Sequence, residues 1–510
     1  MNIFSKWQIK LLKKPYLQQD TSSIAKKKIL DSKRHHMFAK QHPLKTILGL
    51  SFAPFIIFFV NAIYQLSDNI ITASLTNESI LINGQFNNVA TIAINASSII
   101  VVPLWGIVSG IAQGGLSWFS KAQGMQSPRL MGIYNSSSIV SILVFSFIGS
   151  LIMLNIGQEL LSLSLNMPKS ADNALIAKKA FTYITPRLVS LPIVGLYLHG
   201  IRTLRALNVR WWSIVPYSVG VIINLLLDYV FIKWGGLGIF GSGLATSCAE
   251  IISALIVFAL LIHFFKKEAK EAKLFKPQLL SIIRVIFQGL PQTINLISAT
   301  ILVFFTINWA SQIGALGVSS ATRVITILAI YPAFGFAQGT LIALGYNYGY
   351  QNYKRMHELI FWLWFIMFSY YIFLTFILVV SADSFLNILK IHETRGGKWL
   401  QIMYSTTALL AFAYPIRVYY TATHQKIKTL LVLLLISFSA LPFLYLFGVY
   451  YANIELFWYA QLVGNILMTL CLTSPWILLI KRYIKLKKTK KPIYVLRLSI
   501  AKIKKEKVGA

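Results

Sequence analysis

The chain has 510 residues, 56% of them apolar, 14% aromatic and only 12% charged. That balance excludes an ordinary soluble domain and supplies apolar runs long enough to cross roughly 30 Å of hydrocarbon. The formal charge of +33 does not argue for nucleic acid: 22 of the 48 basic residues sit in the two tails, 10 before Pro43 and 12 from Lys481 onward, where they suit anionic lipid headgroups and help set orientation.

Residues 1–43 form a polar, basic tail with no short apolar core leading to a small-residue cleavage site, so no removable signal peptide is read. Apolar stretches then predict about twelve helices at roughly 44–75, 88–120, 132–156, 178–204, 211–233, 238–265, 284–309, 317–346, 357–381, 399–422, 428–451 and 455–480. A basic linker, 266–283, containing Lys266-Lys-Glu-Ala-Lys-Glu-Ala-Lys273, separates six from six, and residues 481–510 are a second basic tail. Cys248 and Cys471 fall inside predicted spans and read as packing thiols, with no metal site among them.

The segment Gly110-Ile-Ala-Gln-Gly114, with Gly124 ten residues on, returns 225 positions later as Gly335-Phe-Ala-Gln-Gly339 with Gly349. The chain is therefore built twice. Six helices per half return the chain to its starting side, so both halves insert the same way up. The expected fold is an all-α integral membrane protein of two six-helix bundles, 44–265 and 284–480, related by a pseudo-two-fold axis along the membrane normal. If the N-terminus is inside, 39 of the 48 basic residues lie on that face and seven in the opposite loops, which places both termini in the cytoplasm.

Asp68, Asp228 and Glu250 sit within apolar spans, where an ionised carboxylate costs several kcal/mol unless it is paired or hydrated. The fifth and sixth predicted helices form a hairpin about Leu237. Equal counting from that turn puts Asp228 level with Thr246, and Asn224 level with Glu250 as a second polar layer. Asp68 lies about seven residues before the outer end of the first helix, close to the Asp228 layer at about 1.5 Å per residue. Carboxylate, amide and hydroxyl oxygens suit a small hard cation, and carboxyl groups crowded in a low dielectric also hold a proton more readily. Asp68, Asn224, Asp228 and Thr246 are thus a candidate site for Na⁺ or H⁺. The plainer reading of Asn224, Asp228 and Thr246 is a packing clamp of hydrogen bonds.

Asn61 and Gln65 share a helical stripe with Asp68, and Pro54 upstream removes a backbone hydrogen bond, making the first helix a candidate hinge. Asn61 and Gln65 on one side, and Gln292 and Asn295 of the seventh helix on the other, are candidate substrate contacts. The alternative for each amide is a hydrogen bond between neighbouring helices.

On these residues the chain resembles the multidrug and toxic compound extrusion (MATE) family of cation-coupled exporters. The resemblance is carried by Pro54 through Tyr64-Gln-Leu-Ser-Asp68, Leu204-Arg-Ala-Leu, Asn224-Leu-Leu-Leu-Asp-Tyr-Val-Phe-Ile232, Gly289-Leu-Pro291, and Gly345-Tyr-Asn-Tyr-Gly349 with Lys354-Arg355. It implies a V-shaped pair of bundles that expels organic, often cationic and lipophilic compounds in exchange for Na⁺ or H⁺, with the cation site on Asp68, Asn224, Asp228 and Thr246. The expected partners are a small-molecule substrate, the coupling cation and membrane lipids, with no cofactor and no nucleic acid. Richness in Ile, Lys and Asn fits an AT-rich bacterial genome, hence a bacterial plasma membrane.

Two other functions compete. A flippase for a lipid-linked sugar precursor would need buried arginines for a pyrophosphate, for which Arg187 and Arg323 are the candidates within spans. A membrane scaffold would use its basic tails to capture lipid or nucleic acid, although these tails hold few interleaved aromatics. An enzyme is not expected: His199, His263, His392 and His424 are scattered, with no HExxH spacing and no nucleophile elbow.

Overall fold

The computed structural model describes residues 35–488 apart from 77–78, 83–84, 165–170, 208, 210, 269–275, 389–394 and most of 314–329. Residues 1–34 and 489–510 of the two basic tails, the centre of the linker and Arg323 lie outside the described residues. A π-helical turn, His36–Lys40, precedes α1 (Pro43–Thr76). There follow α2 (Val89–Gly124), α3 (Pro128–Ser164), α4 (Ala171–Ala206), α5 (Val215–Tyr229), α6 (Gly238–Glu268) and α7 (Leu279–Gln312). The second half continues with α8 (Phe334–Gly349), α9 (Tyr353–Val380), α10 (Ala382–Ile388), α11 (Gly396–Tyr404), α12 (Leu410–Ala422), α13 (Lys426–Phe438), α14 (Leu441–Tyr445) and α15 (Ile454–Lys488).

By length and composition, ten helices among the described residues could cross a membrane. Two of the expected twelve are interrupted. A 3-10 turn at Tyr331–Ala333, containing Pro332, precedes α8, and another at Thr407–Leu409 separates α11 from α12. Proline cannot donate the hydrogen bond that a continuous helix needs at the first of these. One feature departs from the all-helical expectation: β1 (Ser79–Ile82) and β2 (Gln85–Asn88) form an antiparallel pair joining α1 to α2, with Ser79 opposite Asn88 and Ile82 opposite Gln85. The run Ile80-Leu81-Ile82 is short enough and β-favouring enough to make a strand.

Within the first half α2 packs on α3 and α4, α4 on α6, and α5 on α6; within the second, α12 packs on α8, α9 and α13. The halves meet along one seam, and the repeated glycines build it. Gly110 and Gly114 of α2 lie against Gly289 and Val285 of α7, while Gly335 and Gly339 of α8 lie against Phe55 and Ser51 of α1. Where α2 and α8 cross, a Cβ on Gly124 would strike the Tyr346 carbonyl oxygen, and one on Gly349 would strike that of Lys121. These two contacts are one contact related by the 225-residue repeat. The helix ends obey the same repeat: Gln126 and Gln351 adopt φ of 56° and 63°, and the bonds Ser127 N to Ala122 O and Asn352 N to Asn347 O close both ends alike.

The seam runs from the middle of α2 and the start of α8 to the end of the molecule where α1 begins and α2 and α8 finish. His35 Nδ1 lies 2.8 Å from the Tyr346 hydroxyl, Asn347 donates to the Phe38 carbonyl at 3.0 Å, and Arg355 donates to the Gln41 carbonyl. The segment before α1, from the first half, is thereby fastened onto the second. Further along, Phe58 meets Phe334 with ring centroids 6.2 Å apart, and Phe334 meets Tyr414 at 4.8 Å. Beyond Phe58, α1 turns to its own half: Asn61 bonds to α5 and Thr72 to α6.

Candidate functional site

The α5–α6 hairpin sets the site's geometry. After Tyr229 the chain widens into a π-helical turn, Val230–Trp234, then reverses through Gly236 and Gly238, which hold φ of 61° and 54°. Such positive φ is open to glycine at little cost. The reversal is centred near Gly235, two residues earlier than equal counting about Leu237 assumes. As a result Asn224 faces Thr246, and the expected pairings of Asp228 with Thr246 and Asn224 with Glu250 are replaced. A π-turn advances less along the helix axis per residue, so counting residues misjudges depth.

Three of the four predicted cation ligands come together. Asn224, Asp228 and Thr246 are buried at 1%, 0% and 3% exposure. With the amide oriented to satisfy both neighbours, Asn224 donates through Nδ2 to Asp228 Oδ2 at 3.1 Å and accepts at Oδ1 from the Thr246 hydroxyl at 3.2 Å and the Thr246 backbone N–H at 3.0 Å. The Thr246 hydroxyl also lies 3.1 Å from the Ser242 carbonyl, one helical turn back. Its single proton serves one of these acceptors.

The side chains of Asp68 and Gln65 lie outside the described residues, although their backbone belongs to α1. Two bonds fix the level of that backbone. Tyr217 of α5 donates to Asn61 Oδ1 at 2.5 Å, so the position seven residues along α1, Asp68, runs level with Asn224, seven along α5. Thr72 Oγ1 lies 3.0 Å from Ser242 Oγ, and because α1 and α6 run in opposite directions, one turn inward from each again sets the Asp68 position beside Thr246. Two independent registers agree.

Glu250, one turn along α6 from Thr246, lines a small cavity with Arg187 and Leu188 of α4 and Trp105 of α2. In place of the expected pairing with Asn224, Glu250 shares one cavity wall with an arginine. Arg187 also donates to the Tyr183 hydroxyl at 3.2 Å, so it serves the interior of the first half.

In the second half, Gln292 accepts from Arg417 Nη2 of α12 at 2.7 Å, and Asn295 Oδ1 lies 3.5 Å from Ser437 Oγ of α13. Both amides, and Asn61 likewise, are engaged by neighbouring helices. Pro54 is buried where α1 passes Gly335, at the seam itself.

Sequence reasoning missed several groups. Arg417, which the sequence reading left out of the site, stands in α12 beside Tyr371 and Tyr414. Arg202, likewise not singled out, reaches from α4 to α2, donating to the Ser109 carbonyl at 2.9 Å and its hydroxyl at 2.7 Å. Thr72, Tyr217 and Ser242 carry the registers around the site. A stripe of hydroxyls at spacing four, Ser242 and Thr246, was the legible signal for the last of these.

The fold has known counterparts. A MATE structure in complex with MaL6 superposes with a TM-score of 0.78 at 20% identity, covering 90% of this chain and all of the other. The outward-facing conformation of a multidrug resistance MATE family transporter of the MOP superfamily matches with a TM-score of 0.78 at 19% identity, over 90% of this chain and 99% of that one. A MOP superfamily transporter from Pyrococcus furiosus, described as having a binding pocket of reverse polarity that suggests a different function, matches with a TM-score of 0.76 at 20% identity, again over 90% and 99%. No family model and no curated protein sequence matches the chain. The fold is thus that of the MATE transporters, as the sequence resemblance implied.

Proposed function

We propose that this protein is a secondary active exporter that expels organic, lipophilic or cationic compounds in exchange for Na⁺ or H⁺, with both termini in the cytoplasm of a bacterial cell. The observation that carries the proposal is the buried Asn224–Asp228–Thr246 cluster in the first half, level with the backbone of Asp68, on a fold shared with MATE transporters. Carboxylate, amide and hydroxyl oxygens supply the donors a small cation needs, and the same carboxylates hold a proton equally well. The two halves act as lobes that rock about the glycine seam. Ion binding stabilises one arrangement and substrate the other, so each promotes release of its competitor without a covalent step.

Substrate is expected between the lobes. The rings of Phe58, Phe334 and Tyr414, which join the halves beyond the seam, offer the polarisable faces that lipophilic cations prefer. A second reading, export of an anionic lipid-linked precursor, gains one observation: Arg417 and its partner Gln292 bring a cation to the same neighbourhood. Dye efflux from proteoliposomes under separately imposed sodium and proton gradients tests the exporter. Asp228→Asn is expected to abolish ion-driven efflux while the protein still folds, and normal pumping by that variant would remove Asp228 from the mechanism. If Arg417→Gln is the damaging change and Asp228→Asn is harmless, the anionic substrate is favoured.

A further inference from the structure

At the termini end of the seam, a patch of positive charge spans both halves. Lys121, near the end of α2, places Nζ 4.5 Å from the centroid of the Trp118 ring and 5.0 Å from that of Tyr348 on α8. Arg284 of α7 approaches the same indole, with Cζ at 5.7 Å, and its carbonyl accepts from Trp118 Nε1 at 3.2 Å. His424, in the turn between α12 and α13, stacks on that indole at 4.1 Å and lies 5.8 Å from the Tyr348 ring. Lys426, two residues on, sits over Phe287 at 4.9 Å.

Two features mark this patch as more than packing. Among the described residues none of Lys121, Arg284 and Lys426 has a carboxylate partner. Both ring nitrogens of His424 are shut off from solvent without a hydrogen-bond partner, although a neutral imidazole has one proton to give and one lone pair to fill.

We propose that Lys121, Arg284, Lys426 and His424 bind a phosphate-bearing anion that bridges the two halves and holds the seam shut. Lys121 comes from the first half and Arg284 and Lys426 from the second, so their charges repel across the closed seam, while His424 contributes a neutral ring. A phosphate between them converts that repulsion into charge-assisted hydrogen bonds to both sides. The indole and phenol rings fix the ammonium and guanidinium groups at its edge. When the halves part, the four groups separate and affinity falls. The anion therefore favours the closed seam by the difference between its two affinities.

The test uses the purified full chain and does not depend on efflux. Apparent unfolding temperature is measured in neutral detergent while inorganic phosphate replaces chloride at constant ionic strength, and again in nanodiscs of phosphatidylcholine with and without phosphatidic acid. The expected result is a saturable rise, with the apparent phosphate affinity weakened about tenfold or more in Lys121→Gln and in Lys426→Gln, the loss expected for one charge-assisted bond. Exposed Lys354, which makes none of the patch's ring contacts, supplies the control variant Lys354→Gln, which should respond as the parent does. A rise with free phosphate assigns a soluble anion, and one confined to phosphatidic acid discs assigns a lipid headgroup. No rise with either probe, or equal responses from Lys121→Gln and Lys354→Gln, overturns the proposal.

Discussion

Substituting Gly124→Ala probes whether the repeated glycines hold the halves together. In the closed seam the new methyl group meets the Tyr346 carbonyl oxygen, with the Tyr350 backbone nitrogen 2.9 Å away, and both belong to helix backbone that cannot swing aside. Overpacking of this kind costs about 1–3 kcal/mol. Alanine also favours helix over glycine by about 0.5–1 kcal/mol, but it does so whether the seam is open or shut, and the gain cancels from the comparison. The equilibrium therefore moves toward the parted halves by about 5- to 150-fold, at 1.4 kcal/mol per decade. A cysteine placed at Ser120, which is 1% exposed beneath Gly345, reports the change through its rate of maleimide labelling once Cys248 and Cys471 are replaced. Labelling should accelerate in Gly124→Ala and, by the repeat, in Gly349→Ala. An unchanged rate in a folded variant would refute the claim that this crossing governs closure.

Arg202→Gln should lower stability by about 1.5–3 kcal/mol, the worth of a hydrogen bond from a charged group, because the Ser109 carbonyl loses its donor. Thermal unfolding in detergent checks it, and Ser109→Ala, which keeps the carbonyl contact, should cost less. Thr246→Val removes one oxygen from the candidate ion site and should weaken ion-driven efflux while stability changes by about 1 kcal/mol; full coupling in this variant would take Thr246 out of the site. Burial, reinforced by Lys121 and Lys426, holds the His424 imidazole well below its usual range. Unfolded histidine takes up a proton near ~6.5, so below that pH the folded chain binds fewer protons than the unfolded one. Stability should therefore be level above that pH and decline beneath it. Unfolding temperatures at a series of pH values in chloride should show this decline shrinking in His424→Asn, and a decline of the same size in that variant would assign it elsewhere.

Composition and spacing settled the features that depend only on counting along the chain. The apolar runs required a helical membrane protein, the 225-residue recurrence led to the expectation of two like-oriented halves, and three acids in apolar spans directed attention to the first half. Convergence of Asn224, Asp228 and Thr246 was legible because a spacing of four on one helix, and a hairpin between two, nearly determine proximity.

Tertiary structure decided the features that depend on axial rise and on partners distant in sequence. The π-turn at Val230–Trp234 and the glycine reversal after it moved the hairpin's centre, which shifted Asn224 opposite Thr246 and sent Glu250 to a cavity shared with Arg187. Gln292 and Asn295 looked like cavity residues because nothing in a helical stripe reveals that Arg417 and Ser437, more than a hundred residues away, will face them. The role of the repeated glycines is the same case: sequence displays their recurrence, but only packing shows that Gly124 and Gly349 meet each other's repeat at a crossing too close for a methyl group. A residue count fixes order along one helix, whereas contact between helices is fixed by backbone geometry at turns and by which surfaces can approach.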